Sequence, residues 1–219
     1  MKVYKFKPRS NEWLKARSTN ITATEVATLF GLDQYKTANK VLKDKLNPPA
    51  LKDNVYMRAG RLFEGAVFIA LQEHGIDAKP ADYDHTVFIV DEEHRVAASL
   101  DGKCMHNDSK YIVEAKTTRI DKFKSWYEQP PLEYMLQVHT QLTVSGIDSG
   151  ILACLGLDYP DYPLIAYQVY SDDTISNLIK QEAKRFWDCH AEGKAFTINK
   201  EHKAYILDNI YSTAHLIIQ

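Results

Sequence analysis

Two periodicities divide the chain. Up to about residue 75, and again after about residue 131, apolar positions recur at helical spacing; between about residues 85 and 170 they fall into short β-branched and aromatic runs broken by polar turns. The first part predicts a helix near Asn11–Arg17 and a second beginning at Thr22. There Thr22-Ala23-Thr24-Glu25 has the capping-box pattern, an oxygen at the cap and a carboxylate three residues on. Gly31 is placed to end that helix. Thr37 caps a third, stopped by Asn47-Pro48-Pro49, and a long helix runs from about Asn54 to His74, closed by Gly75.

Strands follow at His85–Val90 and Arg95–Ser99, joined by the turn Asp91-Glu92-Glu93-His94. Another leaves Asp101-Gly102, turns at His106-Asn107-Asp108-Ser109 and returns as Tyr111–Lys116. Helix resumes at Pro131–Val144. Strands at Gly150–Leu155 and Leu164–Tyr170 and a helix over Asp172–His190 complete the pattern, while Glu201–Gln219 is ambiguous. Helices, a strand meander, a helix, two strands and a helix argue for an α/β (α+β) fold, a mixed central sheet flanked by helices rather than a doubly wound one. The expected organisation is one domain, 1–219, with a helical part at about 1–80, a sheet core at about 81–170 and a C-terminal helix and tail at 171–219.

Composition narrows the class. With 219 residues, 45% hydrophobic and 26% charged, the chain can bury a sizeable core and is neither disordered nor fibrous. No apolar run approaches the roughly 20 residues of a membrane span, and no apolar stretch follows the basic N-terminus as in a signal peptide. Cys104, Cys154 and Cys189 are scattered and form no CxxC pair, against a disulfide framework or zinc ribbon. A soluble intracellular protein is expected. The net charge of −2 hides an uneven distribution: residues 1–20 carry an excess of five basic groups and residues 36–52 an excess of four. Such faces suit phosphate, or are ordinary solvated surface.

The candidate chemistry centres on Asp101-Gly102 and, 13 positions on, Glu114-Ala115-Lys116. A strand has period two, so Ile112, Glu114 and Lys116 share one face while Val113 and Ala115 share the other. Asp101 starts the preceding strand of the same hairpin. Two carboxylates on neighbouring strands suit Mg²⁺, and the lysine can orient or deprotonate a water and stabilise developing charge. The same spacing also describes a plain Glu–Lys pair on an exposed strand. Glu64 stands among Met57, Gly60, Phe68 and Leu71 on one helical stripe, costly unless a metal or a neighbour such as Arg61 compensates it. Gly60 and Gly65 thin that helix, consistent with the close approach of a backbone or ligand. Arg17 and Thr24 sit at the start of the capping-box helix, whose free N–H groups favour an anion, or they form a capped helix with a surface arginine. Tyr134 and Gln137 are one turn apart, and Gln137 and Gln141 share that face; a glutamine amide can orient a water.

These blocks together resemble the phage lambda exonuclease family, within the restriction-endonuclease-like PD-(D/E)xK nuclease superfamily and near the YqaJ-type viral recombinases. The resemblance runs from about Trp13 to Tyr170, carried by W-L-K-A-R-S-T-N-I-T-A-T-E-V (13–26), M-R-A-G-R-L-F-E (57–64), S-L-D-G (99–102), E-A-K (114–116) and Y-M-L-Q-V (134–138). Leu100 stands where the family often has proline, and Gln141 where RecB-type nucleases have tyrosine. Three scattered cysteines argue against an iron–sulfur cluster, which needs four. The resemblance implies that Glu64, Asp101, Glu114 and the Ala115 carbonyl bind metal, two Mg²⁺ ions for which Mn²⁺ substitutes. It implies that Lys116 and Gln137 assist the attacking water, and that Arg17 and Thr24 hold a 5′-phosphate; Lys43 and Lys45 are expected to line the DNA path. The implied activity is 5′→3′ exonuclease digestion of one strand of double-stranded DNA, giving 5′-mononucleotides and 3′ overhangs in phage-type recombination. The implied setting is a homotrimeric ring working with a single-strand annealing protein in the cytoplasm of a bacterial host, phage or prophage encoded. An endonuclease of the same fold and a non-catalytic DNA-end-binding module are the rival readings.

Overall fold

A computed structural model describes residues 1–50, 54–81, 86–106, 109–158 and 161–219. The N-terminal part carries strand β1 (Lys2–Phe6), helix α1 (Asn11–Ser18), strand β2 (Ile21–Thr22), and helices α2 (Val26–Leu29), α3 (Ala38–Leu46) and α4 (Val55–Glu73). Strands β3 (Ala78–Pro80), β4 (Thr86–Asp91), β5 (Val96–Ser99), β6 (Gly102–His106) and β7 (Ser109–Thr118) follow. After them come α5 (Ile120–Phe123), α6 (Leu132–Ser145), β8 (Ser149–Gly156), β9 (Leu164–Tyr170), α7 (Asp173–Glu192), α8 (Lys200–Asn209) and β10 (Ala214–Ile218).

Local chemistry explains the boundaries that the sequence marked. The Asn54 side chain accepts the Met57 N–H (2.8 Å) and starts α4, and Gly75 ends that segment in the left-handed region at φ 80°. Thr37 caps α3 through the Lys40 N–H at 3.3 Å. Asp172 caps α7 through the Ile175 N–H at 2.8 Å. The expected helix from Thr22 to Gly31 is shorter than its pattern suggests. It is a 3-10 turn over Ala23–Glu25 followed by the four residues of α2. Lys52, His85, Asn107 and Asp108, which belong to expected basic, strand and turn segments, lie outside the described residues.

The meander divides between two sheets. One has the order β1-β4-β5-β2, the other β10-β9-β8-β7-β6-β3. Each is mixed: β2 runs parallel to β5 and β7 parallel to β8, the other pairs being antiparallel. The chain leaves one sheet at Ser99 and enters the other at Gly102, so Leu100 and Asp101 form the crossover. Gly102 makes the crossover fit. A Cβ there would stand 2.3 Å from the Phe68 ring and 2.4 Å from the Lys79 carbonyl, closer than any real side chain approaches. The Asp101 carbonyl accepts the Ala81 N–H at 2.7 Å, which holds the crossover against the residue after β3.

The six-stranded sheet buries both faces. Ile112, Leu152, Cys154, Ile165 and Val169 pack towards α6 and α7, with Leu136, Val138, Ile179 and Phe186. Val113, Ile151, Ala153 and Ala166 pack on α4 through Val67, Phe68 and Leu71. This is the alternation that a strand covered on both sides requires, and each such large apolar side chain contributes roughly 1.5–3 kcal/mol on burial. Helix α6 is buried along nearly its whole length, its polar residues Gln137, His139, Thr140 and Gln141 included. Cys104 and Cys154 are buried and free, as small hydrophobes. No helix among the described residues is long and apolar enough to cross a membrane.

Candidate active site

The site is built outward from Glu114, which is 1% exposed on the α6-facing side of β7. A carboxylate so buried needs compensation at every lone pair. Here Oε1 accepts from Lys116 Nζ (2.5 Å) and Gln137 Nε2 (2.5 Å), and Oε2 accepts from Gln141 Nε2 (2.5 Å). Lys116 also donates to Gln137 Oε1 at 3.1 Å, closing a triangle. Gln141 donates in addition to the Ser99 carbonyl at 3.1 Å, tying the cluster to the crossover. One helical turn of α6 thus supplies two amides to one carboxylate. Gln141, to which the sequence assigns no role, is the residue that fixes the second oxygen.

Asp101 and Glu64 complete the acidic side. Asp101 Oδ2 accepts the Ala115 N–H at 3.1 Å. In an extended strand the N–H and C=O of one residue point to the same edge, so the Ala115 carbonyl faces Asp101 as well. Burial, and then the negative charge of Glu114, raise the Asp101 carboxyl well above the usual range; Lys116 opposes this, and Glu64 adds to it. Glu64 is raised by burial and by Glu114. Burial works against the Lys116 ammonium, but Glu114 and Asp101 outweigh it and raise its pKa, so it stays charged. Lys116 thus opposes the raised proton affinity of both Asp101 and Glu64.

The donor chemistry fits a hard divalent cation, since the carboxylates of Asp101 and Glu64 line one cavity and both feel the charge of Glu114. Among the described residues, no three His, Cys, Asp or Glu side chains stand close enough to hold an ion as placed. Both oxygens of Glu114 are held by Lys116 and the two glutamines.

Asp101, Glu64 and Gln137 line a cavity of about 370 Å³ together with Arg17, Thr22 and Thr24. A guanidinium nitrogen of Arg17 lies 3.5 Å from the Thr22 and the Thr24 hydroxyls, and the group sits 4.7 Å from the Trp13 ring centre. The fold thus joins two constellations that are 77 positions apart in the chain, Thr24 and Asp101. The support from a helix N-terminus is corrected: a 3-10 turn and a four-residue helix leave little aligned dipole. Arg9, Arg61 and Met57 also line the cavity. Arg61 is one turn before Glu64 on α4, a spacing the sequence reading used only for a Glu–Arg pair. Gly60 has open space around it, not a closely approaching backbone.

The lysines of α3 divide. Lys43 is exposed in the last turn. The expectation that Lys45 lines a DNA path is corrected, because its side chain is 4% exposed and donates to Glu25 Oε2 and to the Arg17 carbonyl, each at 2.7 Å. Against the upward push of burial, Lys45, Arg17 and the Thr22 N–H hold the Glu25 carboxyl below the usual range. Lys36 and Lys40 pair with Asp44 at 2.9 and 2.7 Å.

A model of the YqaJ-like viral recombinase domain matches residues 12–148. An uncharacterized protein of Acanthamoeba polyphaga mimivirus is 26% identical over 163 residues, which are 67% of this chain and 29% of that protein, so the chain spans less than a third of that relative. An alkaline exonuclease from Laribacter hongkongensis superposes with a TM-score of 0.67 at 18% identity, covering 93% of this chain and 99% of its own. A complex of that protein with dAMP gives 0.64 at 19% identity, covering 91% and 95%. A phage-related exonuclease from Haemophilus somnus gives 0.58 at 12% identity, covering 80% and 96%. These likenesses establish the restriction-endonuclease-like mixed α/β fold.

Two outcomes follow from the site's electrostatics. The raised Asp101 carboxyl means that its ionised form weakens the fold: its contribution is present below the unfolded pKa and lost as pH rises through the folded one. Urea unfolding in chelator should therefore find Asp101→Asn more stable than wild type at pH 7.5, with the gain shrinking towards pH 4; a variant less stable at pH 7.5 contradicts the assignment. Lys45→Met should cost about 3–5 kcal/mol by stranding Glu25, with most of the loss recovered in the Lys45→Met, Glu25→Gln double variant. A single variant of wild-type stability and weakened DNA binding would restore Lys45 to the surface.

Proposed function

The chain belongs to the YqaJ-like viral recombinase domain family, and from that premise and the cavity's geometry we propose that it is a Mg²⁺-dependent 5′→3′ exonuclease of double-stranded DNA. It releases 5′-mononucleotides and leaves a 3′ overhang suited to recombination by strand annealing. The observation that carries this reading is one cavity lined both by the acidic Glu64 and Asp101 and by Arg17 with two threonines, Thr22 and Thr24. The names of the two exonucleases that share the fold support it. The homotrimeric ring and the annealing partner belong to the same proposal, supported by the resemblance of the motif blocks.

Glu64, Asp101, Glu114 and the Ala115 carbonyl are the groups that would hold metal. A bound divalent pair would neutralise charge on the phosphodiester and provide a nucleophile active at neutral pH. The chain's own groups do the rest. Lys116 stays protonated beside Glu114 and Asp101, so it stabilises negative charge on the reacting phosphate rather than accepting a proton. Gln137 touches both Lys116 and Glu114 and holds them in register. Gln141 is a positioning residue acting through Glu114. Arg17 offers donors to a terminal phosphate, with the Thr24 hydroxyl beside it. A terminal phosphate carries more charge than an internal diester, so this group of donors selects a 5′ end and with it a polarity.

Initial rates on linear duplex with 5′-phosphate or 5′-hydroxyl ends, beside a closed circle, test the reading. Wild type should need a divalent ion, prefer the phosphorylated end and leave the circle intact. Arg17→Ala should reduce the preference ten- to hundred-fold, the loss of a charge-assisted hydrogen bond of about 1.5–3 kcal/mol, and Glu114→Ala should lose more than nine-tenths of turnover. Cutting of the circle would favour an endonuclease, and an unchanged preference in Arg17→Ala would remove the phosphate pocket.

A further inference from the structure

Lys116 also lines a second cavity, of about 240 Å³, together with Tyr35, Tyr134, Lys122 and Thr118. It adjoins the first cavity at the hydrogen bond between Lys116, which lines the second, and Gln137, which lines the first. Strand β7 runs from Glu114 past Lys116 to Thr118 along its wall. The lining has the chemistry of a nucleotide site. Tyr35 is 81% exposed, so a face of its ring is open to a planar ligand. Its position is fixed: Asp33 Oδ1 accepts the N–H groups of Tyr35 and Lys36, each at 2.7 Å, and Lys122 Nζ donates to the Tyr35 hydroxyl at 3.2 Å. The Tyr134 ring lies 4.6 Å from Lys116 Nζ and stacks on buried Trp126 at 5.7 Å, which makes it a rigid wall. Two ammonium groups stand against one lining carboxylate, Glu133.

We propose that this second cavity is a nucleotide subsite for the strand that remains after cleavage, with Tyr35 stacking on a base and Lys122 meeting the adjoining phosphate. The inference rests on the nuclease reading above. If the terminal nucleotide occupies the first cavity with its 5′-phosphate at Arg17, the scissile phosphate lies by Lys116 and the next nucleotide enters the cavity that Lys116 shares. Aromatic stacking takes any base, and a lysine takes any phosphate, so the subsite serves digestion without sequence preference.

Equilibrium binding in chelator separates the two cavities, with the full chain and two probes, a 5′-mononucleotide and a 5′-phosphorylated tetranucleotide. Wild type should bind the tetranucleotide more tightly than the mononucleotide. Tyr35→Ala should lose roughly ten-fold of the tetranucleotide affinity, the scale of one stacked base, and leave mononucleotide affinity unchanged. Tyr35→Phe should keep most of the gain. Lys122→Ala should lower the salt slope for the tetranucleotide by about 0.7, one phosphate contact on a single strand. Tyr35→Ala binding the tetranucleotide as tightly as wild type overturns the subsite, as does equal weakening of both probes or a wild type that gains nothing from length. Metal-dependent digestion of linear duplex alongside any of those results would leave the nuclease reading standing and remove only the subsite.

Discussion

The arrangement depends on one buried carboxylate. Glu114 lies on a strand covered on both faces, where an uncompensated charge would be prohibitive. The fold satisfies it with an ammonium two positions along the same strand and with two amides from one helix. That requirement explains why α6 buries polar residues along a face that would otherwise be apolar. It explains the tie from Gln141 to the Ser99 carbonyl, and hence the link between the two sheets. Charge-assisted hydrogen bonds of this kind are roughly twice as strong as neutral ones, and their loss would strand a charge in the core.

Around that carboxylate the fold gathers groups from distant parts of the chain. The crossover delivers Asp101, and glycine at 102 lets it pass between Phe68 and Lys79. Helix α4 delivers Glu64, buried towards its C-terminal half by Val67, Phe68 and Leu71. The N-terminal segment delivers Arg17 and Thr24. Burial and the negative charge of Glu114 raise the proton affinity of Glu64 and Asp101, and Lys116 opposes this without cancelling it. The site therefore holds electrostatic energy that a cation would release, the property expected of a functional site and of no use to stability.

Much of this geometry was legible in the sequence because it is local. Period two put Glu114 and Lys116 on one face of β7, and they form an ion pair there. Caps and glycines marked α3, α4 and α7 to within a residue or two. What escaped was tertiary. Strand β1 is an edge strand with exposed Lys2, Val3 and Lys5, and the sequence showed there only an excess of basic charge. The division of the meander into two sheets depends on the crossover at Leu100–Asp101, where Asp101-Gly102 marks a break between strands but not a change of sheet. Strand β10 pairs with β9 across more than forty residues of chain, a partnership that its short apolar run does not specify. Lys45 looked like its exposed neighbour Lys43, and only the burial of Glu25 beside it reveals a structural ion pair. Tyr35 lacked any motif and Arg61 was weighed only as a neighbour of Glu64, and their place in the two cavities comes from the fold.

The central claim is that the acidic cluster is a cation site in which burial and the charge of Glu114 raise the proton affinity of Asp101 and Glu64. Calorimetric titration with Mg²⁺ in buffers of different ionisation enthalpy counts the protons released on binding. The account predicts binding that releases protons, with the number growing as pH is lowered from 8 towards 5, and loss of both binding and release in Asp101→Asn. Equal affinity and equal proton release in wild type and Asp101→Asn would contradict it.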